Sequence, residues 1–306
     1  MSVDSRTTVL DRLWSLFEGQ SGSRRSLLLM SPLILFELLV FVVPFLLLVR
    51  ISFSEQSQGL PYAEGTFTIA SYVQVLQSEL LQGIIVYSFK LGIIATLLTV
   101  VLAVFYAYAT WRASGVRKSA LLFSVVLPLL TTLVIKTYVW VPLLAPNGTA
   151  NSLLLAVGLI QAPLQIVPNT LGVVIGQVYI VFPYAMLAIY SVLTTVEWEL
   201  VEAARDLGAS RIRSFFAVVL PEIMPGITVA TVISFAWSVG AYSAPALLGA
   251  GSDRPFALEV QEQMLVNFNW PIATALSTVM LVLMFVSILV IYTVLGRFGG
   301  DVTNAT

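Results

Sequence analysis

The charged residues of segment 194–222 are the side chains of this sequence best placed to recognise a partner. Glu202, Arg205 and Asp206 lie within five residues of one another, beside the small residues Ala203 and Ala204. Charged groups at this spacing can fix the register of a bound surface through charge-assisted hydrogen bonds, and small residues permit close backbone approach. The pattern indicates docking, and its alternative is an ordinary amphipathic loop.

The chain contains no histidine and no cysteine, which excludes several kinds of reaction chemistry. It cannot build a Ser-His-Asp triad, a zinc site of the H-E-x-x-H type, a thiol nucleophile or a disulfide. It also lacks the G-x-x-x-x-G-K-[ST] loop that binds nucleotide phosphates. We therefore expect a chain that is not an enzyme and holds no metal or cofactor. An intramembrane Ser–Lys enzyme is the catalytic alternative.

Composition places these residues in a membrane protein. Of the 306 residues, 58% are hydrophobic and 10% are charged, and the mean hydropathy is +0.94. Soluble domains carry about 45–50% apolar and about 25% charged residues, so this chain has too little charge for a water-facing or nucleic-acid-binding surface. Six segments contain the roughly 20 apolar residues that a spanning helix needs. They are residues 26–51, 84–109, 120–144, 170–193, 223–248 and 272–295. A shorter apolar stretch at 153–160 predicts an interfacial or re-entrant helix.

Basic residues predict the orientation, because they concentrate in cytoplasmic loops. One side carries Arg6, Arg12, Arg24, Arg25, Arg112, Arg117, Lys118, Arg205, Arg211, Arg213 and Arg297. The other side carries Arg50 and Arg254. We therefore expect a cytoplasmic N-terminal segment at 1–25, with an interfacial helix near 9–17. A six-span domain follows at 26–295, with a cytoplasmic loop at 194–222, and then a cytoplasmic tail at 296–306.

The local pattern of segment 194–222 predicts two short helices joined by a glycine turn. Thr194 and Glu197 have the spacing of a capping box at the start of the first helix. Gly208 can adopt the left-handed conformation that ends a helix, and Ser210 can cap a second helix over 211–219. The residues that share one face of the first helix are Leu200, Ala203, Ala204 and Leu207.

Polar and aromatic residues inside the predicted spans are candidates for a solute pathway, because such groups are costly in a bilayer. Glu37 lies near the middle of the first span, and aromatic faces attract cations. The aromatic candidates are Tyr87, Tyr184, Trp237 and Tyr242. Contact with a neighbouring helix is the alternative for Glu37, and packing or an interfacial belt is the alternative for the aromatic residues. We expect Lys90 and Lys136 to extend towards the interface. A Lys136 that faced the pathway would disfavour a polycation.

The spacing of several of these residues resembles a known family. Glu202-Ala203-Ala204, Gly208 and Leu220-Pro221 follow the E-A-A-x-x-x-G loop pattern of type I ABC-importer permeases, with Val218 in place of the usual isoleucine. The resemblance covers about 87–297 and is closest to polyamine (spermidine/putrescine) permeases. It includes the stretches GQVY at 176–179, FPY at 182–184, LPEIMPG at 220–226, APALLG at 244–249 and NWP at 269–271. Permeases for iron, thiamine, sulfate, opines and aminoethylphosphonate share much of this pattern.

The resemblance implies an all-α integral membrane fold of six transmembrane helices, with a cytoplasmic helix-turn-helix coupling loop between spans four and five. It implies three kinds of partner in a bacterial inner membrane: a second homologous or identical permease, two cytoplasmic ATPase subunits, and an extracytoplasmic solute-binding protein. ATP and Mg would be held by the ATPase. Residues Glu202 to Asp206 would dock on that subunit, and Gly208 would shape the turn. A secondary transporter is the alternative, but such proteins carry more spans and more buried carboxylates.

Overall fold

The computed structural model of the chain describes residues 22–57, 59–251 and 254–297, with side chains from residue 29 onward. Every regular element in these ranges is helical. Four helices are singly long and apolar enough to cross a membrane, and two sharply bent helix pairs raise the number to six if each pair forms one span. The interfacial helix predicted near 9–17 and nearly all of the predicted tail lie outside the described residues.

Six main helices follow the predicted spans in chain order. Their bounds are Leu29–Ser52 (α1), Glu79–Arg112 (α2), Gly115–Val126 (α3), Thr170–Leu193 (α4), Met224–Val239 (α5) and Trp270–Gly296 (α6). The connections contain short helices at Ala70–Gln77, Leu133–Tyr138, Trp140–Leu144, Thr149–Ala156, Trp198–Asp206, Arg211–Ser214, Leu220–Glu222, Ser243–Leu248 and Phe256–Leu265. A 3-10 turn lies at Leu127–Leu130, and π-helical turns lie at Leu38–Val42 and Phe215–Val219.

Side-chain caps explain where three of the long helices begin. Ser78, Asn169 and Asn269 precede α2, α4 and α6, and each side-chain oxygen accepts a hydrogen bond from a backbone N–H of the first turn. Such residues are preferred at this position because the first N–H groups of a helix have no intrahelical partner. The predicted fourth span has the same bounds as α4, and the predicted sixth span differs from α6 by two residues at its start and one at its end.

The third predicted span, 120–144, is wrong as a single helix. The chain turns by 112° between Gly115–Leu130 and Leu133–Ala156. Pro128 lacks the N–H that would continue the α-helical ladder, and Thr131 and Thr132 adopt extended backbone angles. The short apolar helix predicted at 153–160 occurs in this region as Thr149–Ala156.

The fifth predicted span, 223–248, is also interrupted. Helix α5 ends at Val239, Gly240 caps it, and a separate short helix follows at Ser243–Leu248. Glycine weakens a helix because it loses the most backbone freedom on folding. Two of the predicted pathway residues flank the break: Trp237 lies in the last turn of α5, and Tyr242 directly precedes the next helix.

Helices α2, α4 and α5 form the centre of the bundle, and each packs against the other two. Small residues allow the close approach: a methyl group added at Gly92 of α2 would lie 2.5 Å from Cγ2 of Val239 on α5. Helix α6 packs on α5, and α1 packs chiefly on α6. No residue in the most apolar 18-residue stretch of α1 is buried within this chain.

Candidate functional site

The first loop helix, Trp198–Asp206, ends in a glycine turn with the geometry of a Schellman motif. The N–H of Gly208 donates to the carbonyl of Arg205 at 2.9 Å, and the N–H of Ala209 donates to the carbonyl of Ala204 at 3.1 Å. Gly208 has a φ of +91°, which lies in the left-handed region that only glycine enters without steric cost. The turn predicted at Gly208 is therefore present.

The second half of the loop begins with the predicted cap. The Oγ of Ser210 accepts a hydrogen bond from the N–H of Arg213 at 3.3 Å, and helical structure continues from Arg211 to Glu222. The predicted capping box is wrong. Glu197 precedes the first helix and makes no side-chain cap, while the hydroxyl of Thr194 donates to the carbonyl of Ser191. Thr194 follows the last residue of α4, so its hydroxyl satisfies the end of that helix.

The loop is anchored on one side and exposed on the other. Val201 and Val219 are buried in a hydrophobic cluster with residues from the ends of α2 and α4 and from the start of α5. The motif residues Glu202, Ala203, Asp206 and Pro221 are exposed, as is Arg205, whereas Ala204 and Leu220 are half-buried. Of the predicted apolar face, Leu200 is exposed and Leu207 is 91% exposed. This face therefore does not pack against the rest of the chain.

Trp198 connects the motif to a distant part of the chain. Its indole Nε1 donates a hydrogen bond to Oε1 of Glu202 at 2.6 Å, one helical turn further on. The guanidinium of Arg112, at the end of α2, lies 4.1 Å from the centre of the same indole ring. Trp111 meets the indole edge-to-face, with ring centroids 5.2 Å apart. The loop and the end of α2 thus meet in an aromatic contact at Trp198.

A cavity of about 290 Å³ lies beside the break that follows α5. It contains the predicted residues Trp237 and Tyr242, which are 42% and 45% exposed. Tyr184 stacks on Trp237 with ring centroids 5.3 Å apart. The remaining lining residues are Leu133, Gln177, Ile180, Ala236, Gly240, Ala241, Ser243 and Ala244. None of these described lining residues is charged.

The structure does not bring every predicted pathway residue to this cavity. The hydroxyl of Tyr87 lies 3.3 Å from that of Thr170, at the start of α4. Glu37 is exposed on α1 and does not line the cavity. Lys90 is exposed, whereas Lys136 is 6% exposed and does not extend freely to the interface. Its helix, Leu133–Tyr138, is folded against α4 and the helix Ser243–Leu248.

Three residues escaped prediction from the sequence as parts of these sites. Gln177 is 1% exposed, and neither atom of its side-chain amide has a hydrogen-bond partner among the described residues. In the sequence, Gln177 could have been noticed as a polar residue inside an apolar run. Trp198 and Arg112 are 86 positions apart, and neither carries a local pattern that reveals their contact.

The two sites together define a class of protein. A bundle of bent and straight apolar helices holds an uncharged aromatic cavity, and an exposed loop of short helices lies at one end. No His/Cys/Asp/Glu cluster suited to a metal occurs among the described residues. The arrangement is that of a membrane permease.

Comparison with known proteins identifies the family. Residues 153–298 match the family "Binding-protein-dependent transport system inner membrane component". The chain is 31% identical over 261 residues to the spermidine/putrescine transport system permease protein PotB of Haemophilus influenzae, covering 85% of this chain and 91% of that protein. It is 29% identical to PotB of Escherichia coli (strain K12), covering 83% and 92%. The chain belongs to this family and is a permease subunit of an ABC importer.

The fold agrees with solved structures. A bacterial ABC transporter involved in the import of the acidic polysaccharide alginate matches with a TM-score of 0.73 at 19% identity, covering 94% of this chain and 99% of the other. The alginate transporter in complex with an alginate pentasaccharide-bound periplasmic protein also matches with a TM-score of 0.73, at 18% identity, covering 97% and 99%. The predicted all-α permease fold is confirmed.

Proposed function

We propose that this chain forms one half of the solute pathway of an ATP-driven importer and docks on an ATPase subunit through residues 202–208. The observation that carries the proposal is the exposed surface of the first loop helix. Leu200 and Leu207 are exposed in a helix whose Glu202 and Asp206 are also exposed, and the turn at Gly208 fixes the end of that helix. An exposed apolar patch rimmed by charge is typical of a surface that another protein covers.

The proposed assembly contains a second permease, homologous or identical, two cytoplasmic ATPase subunits and an extracytoplasmic solute-binding protein. The family name and the periplasmic protein bound to the alginate transporter support this composition. The chain itself is non-catalytic in this proposal, and ATP and Mg are held by the ATPase. Closure of the ATPase would move the loop and favour one of two conformations of the bundle, which requires different contacts in each state.

We further propose that both termini and the loop face the cytoplasm of a bacterial inner membrane. Arg112 ends α2, while Arg205, Arg211 and Arg213 lie in the loop beside it. Their end of the bundle is opposite the connection that contains Arg254. An excess of basic residues on one side of the bundle marks the cytoplasmic side.

The proposed substrate is a polyamine or a similar small organic cation. The relatives named as spermidine/putrescine permeases support this class. The cavity offers the half-exposed rings of Trp237 and Tyr242, whose faces attract ammonium groups, and it is bordered by Gln177. Because no described lining residue is a carboxylate, the site would hold a cation weakly, which suits a step from which the solute must leave.

Other solutes are the alternative. A matching relative is named a sulfate transport system permease protein, CysT of Salmonella typhimurium, 29% identical over 150 residues. Iron, thiamine, opines and aminoethylphosphonate are carried by permeases with a similar pattern. The buried Lys136, which lies one turn beyond the cavity residue Leu133, favours an anionic or neutral solute over a polycation.

The first experiment is purification of the chain from its native membrane in mild detergent, with every accompanying chain identified by mass. We expect an ATPase and a second permease. Glu202→Lys and Gly208→Pro should release the ATPase, whereas the matched control Glu199→Lys, an exposed charge reversal in the same helix, should retain it. Recovery of the chain alone, under conditions that preserve known complexes, would contradict the proposal and favour a secondary transporter.

The substrate is tested by reconstituting the recovered complex and its binding protein in liposomes with internal ATP. We expect accumulation of labelled spermidine or putrescine that depends on ATP, and no accumulation of labelled sulfate. ATP-dependent uptake of sulfate with no uptake of polyamine would reject the cation class while leaving the importer assignment intact.

A further inference from the structure

The side chain of Trp198 orients the carboxylate of Glu202. The indole N–H donates to Oε1 at 2.6 Å from one turn earlier in the same helix. Spacing of i and i+4 places both side chains on one face, so the hydrogen bond restricts the rotamers of an otherwise exposed glutamate. The indole therefore fixes Oε1 of Glu202, and the other carboxylate oxygen is available to a partner.

The ring of the same indole contacts the end of α2. The Arg112 guanidinium lies over the ring at 4.1 Å, a distance typical of a cation–π interaction. Arg112 makes no ion pair among the described residues, where the pair of Arg254 with Glu262 is the only one. Among the described residues, the indole of Trp198 is therefore the partner of this guanidinium.

A second aromatic contact joins α2 to the other half of the loop. Tyr108, one turn before Arg112, meets Phe215 edge-to-face with ring centroids 5.1 Å apart. Trp111 contacts both Tyr108 and Trp198. The last turns of α2 therefore contact the loop on both sides of Gly208, at Trp198 before it and at Phe215 after it.

Helix α2 extends from this contact to the opposite face of the bundle. Its 34 residues span about 50 Å at 1.5 Å per residue. Near its other end, Ser88 accepts a hydrogen bond at 2.8 Å from the backbone N–H of Phe256, which begins the helix Phe256–Leu265. One rigid element thus connects the loop with the connection on the far side of the bundle.

We propose that Trp198 and Arg112 are positioning residues that transmit displacement of the loop to α2. This inference rests on the proposed function, because the displacement is that of a loop docked on an ATPase. Trp198 has two separable roles: its N–H orients Glu202 for docking, and its ring receives Arg112 and so couples the docked loop to the membrane helix.

The experiment uses the assembled importer in lipid nanodiscs. Because the chain has no cysteine, Gly83→Cys introduces a single thiol into it, on α2 near the end opposite the loop, where an added Cβ meets nothing within 4 Å. An environment-sensitive dye on this thiol reports movement of α2 when ATP is added, without requiring a known substrate. Hydrolysis of ATP is measured in parallel.

We expect ATP to change the dye emission, and Arg112→Gln to reduce that change about three- to tenfold while hydrolysis continues. Arg112→Lys keeps a cation over the ring and should restore most of the change. Arg117→Gln is the matched control, because Arg117 is exposed five residues further on and makes no ion pair or cation–π contact among the described residues. Trp198→Phe keeps a ring but loses the N–H, so it should weaken retention of the ATPase and preserve the dye change in complexes that remain.

Equal dye responses for Arg112→Gln and Arg117→Gln would overturn the inference, as would a complex that hydrolyses ATP without any dye change. If the unaltered chain bound no ATPase, the proposed function itself would fail. Loss of the dye change in Arg112→Lys as well as in Arg112→Gln would show that the cation over the ring does not carry the coupling.

Discussion

Replacing Gln177 with leucine tests whether its buried amide lacks a partner in the folded chain. Both amide atoms are inaccessible and without a hydrogen bond among the described residues, on a residue that is 1% exposed in α4. Each buried polar group left without a partner costs about 1–3 kcal/mol. Leucine has a similar volume and no polar atom, so Gln177→Leu should remove the cost of two such groups.

Taking the lower limit for each group, Gln177→Leu should stabilise the chain by about 2 kcal/mol, which raises the Tm by about 4 °C. The assay is thermal unfolding of the purified chain in detergent. The unfolding is monitored by the absorption or fluorescence signal that reports the tertiary structure. The matched control is Gln263→Leu. The Nε2 of Gln263 donates to Oε1 of the buried Glu259 at 2.7 Å, so this variant should be less stable than the unaltered chain.

A functional measurement accompanies the thermal one. Gln177 borders the proposed pathway, so Gln177→Leu should slow ATP-driven uptake even though the chain is more stable. A Tm that falls in Gln177→Leu as it does in Gln263→Leu would refute the reasoning, because it would show that the Gln177 amide has a partner in the folded protein.

Three further predictions concern glycine positions and orientation. Gly92→Ala should destabilise the purified chain by about 1–3 kcal/mol, because its methyl group would meet Val239 of α5. Gly83→Ala in the same helix has open space and should instead stabilise it by about 0.5–1 kcal/mol; thermal melts compare the two variants. At a φ of +91°, Gly208→Ala should strain the turn by about 1–2 kcal/mol and reduce ATPase recovery in purification. Because this exposed turn can open locally, the strain should leave the melt of the helical bundle nearly unchanged. In intact cells, a membrane-impermeant maleimide should label Glu64→Cys and spare Arg213→Cys; the reverse labelling would contradict the proposed orientation.

Local chemistry explains why the loop and most of the helices could be predicted. Gly208 and Ser210 act within a few residues of their own positions, so sequence alone indicates the turn and the cap. The bounds of α4 also follow from a local capping asparagine and a long apolar run. Such features depend on backbone hydrogen bonds that must be satisfied wherever the segment lies.

The failures have non-local or competing causes. The third predicted span is an apolar run of sufficient length, but hydropathy does not register the missing N–H of Pro128 or the extended Thr131 and Thr132. The contact between Trp198 and Arg112 depends on how α2 and the loop meet in three dimensions. The sequence pattern of either segment alone therefore cannot predict the contact between Trp198 and Arg112.

The exposure of α1 has an evolutionary consequence. Every side chain from Leu29 to Leu48 is exposed within a single copy of the chain, so packing inside that copy constrains these side chains less than those of the central helices. Within one copy, natural selection therefore acts on these positions mainly through the apolar character and length that a spanning helix needs. We therefore expect α1 to diverge rapidly among relatives while remaining predominantly apolar. Helices α2, α4 and α5 should diverge slowly, since even one methyl group at Gly92 would press on Val239.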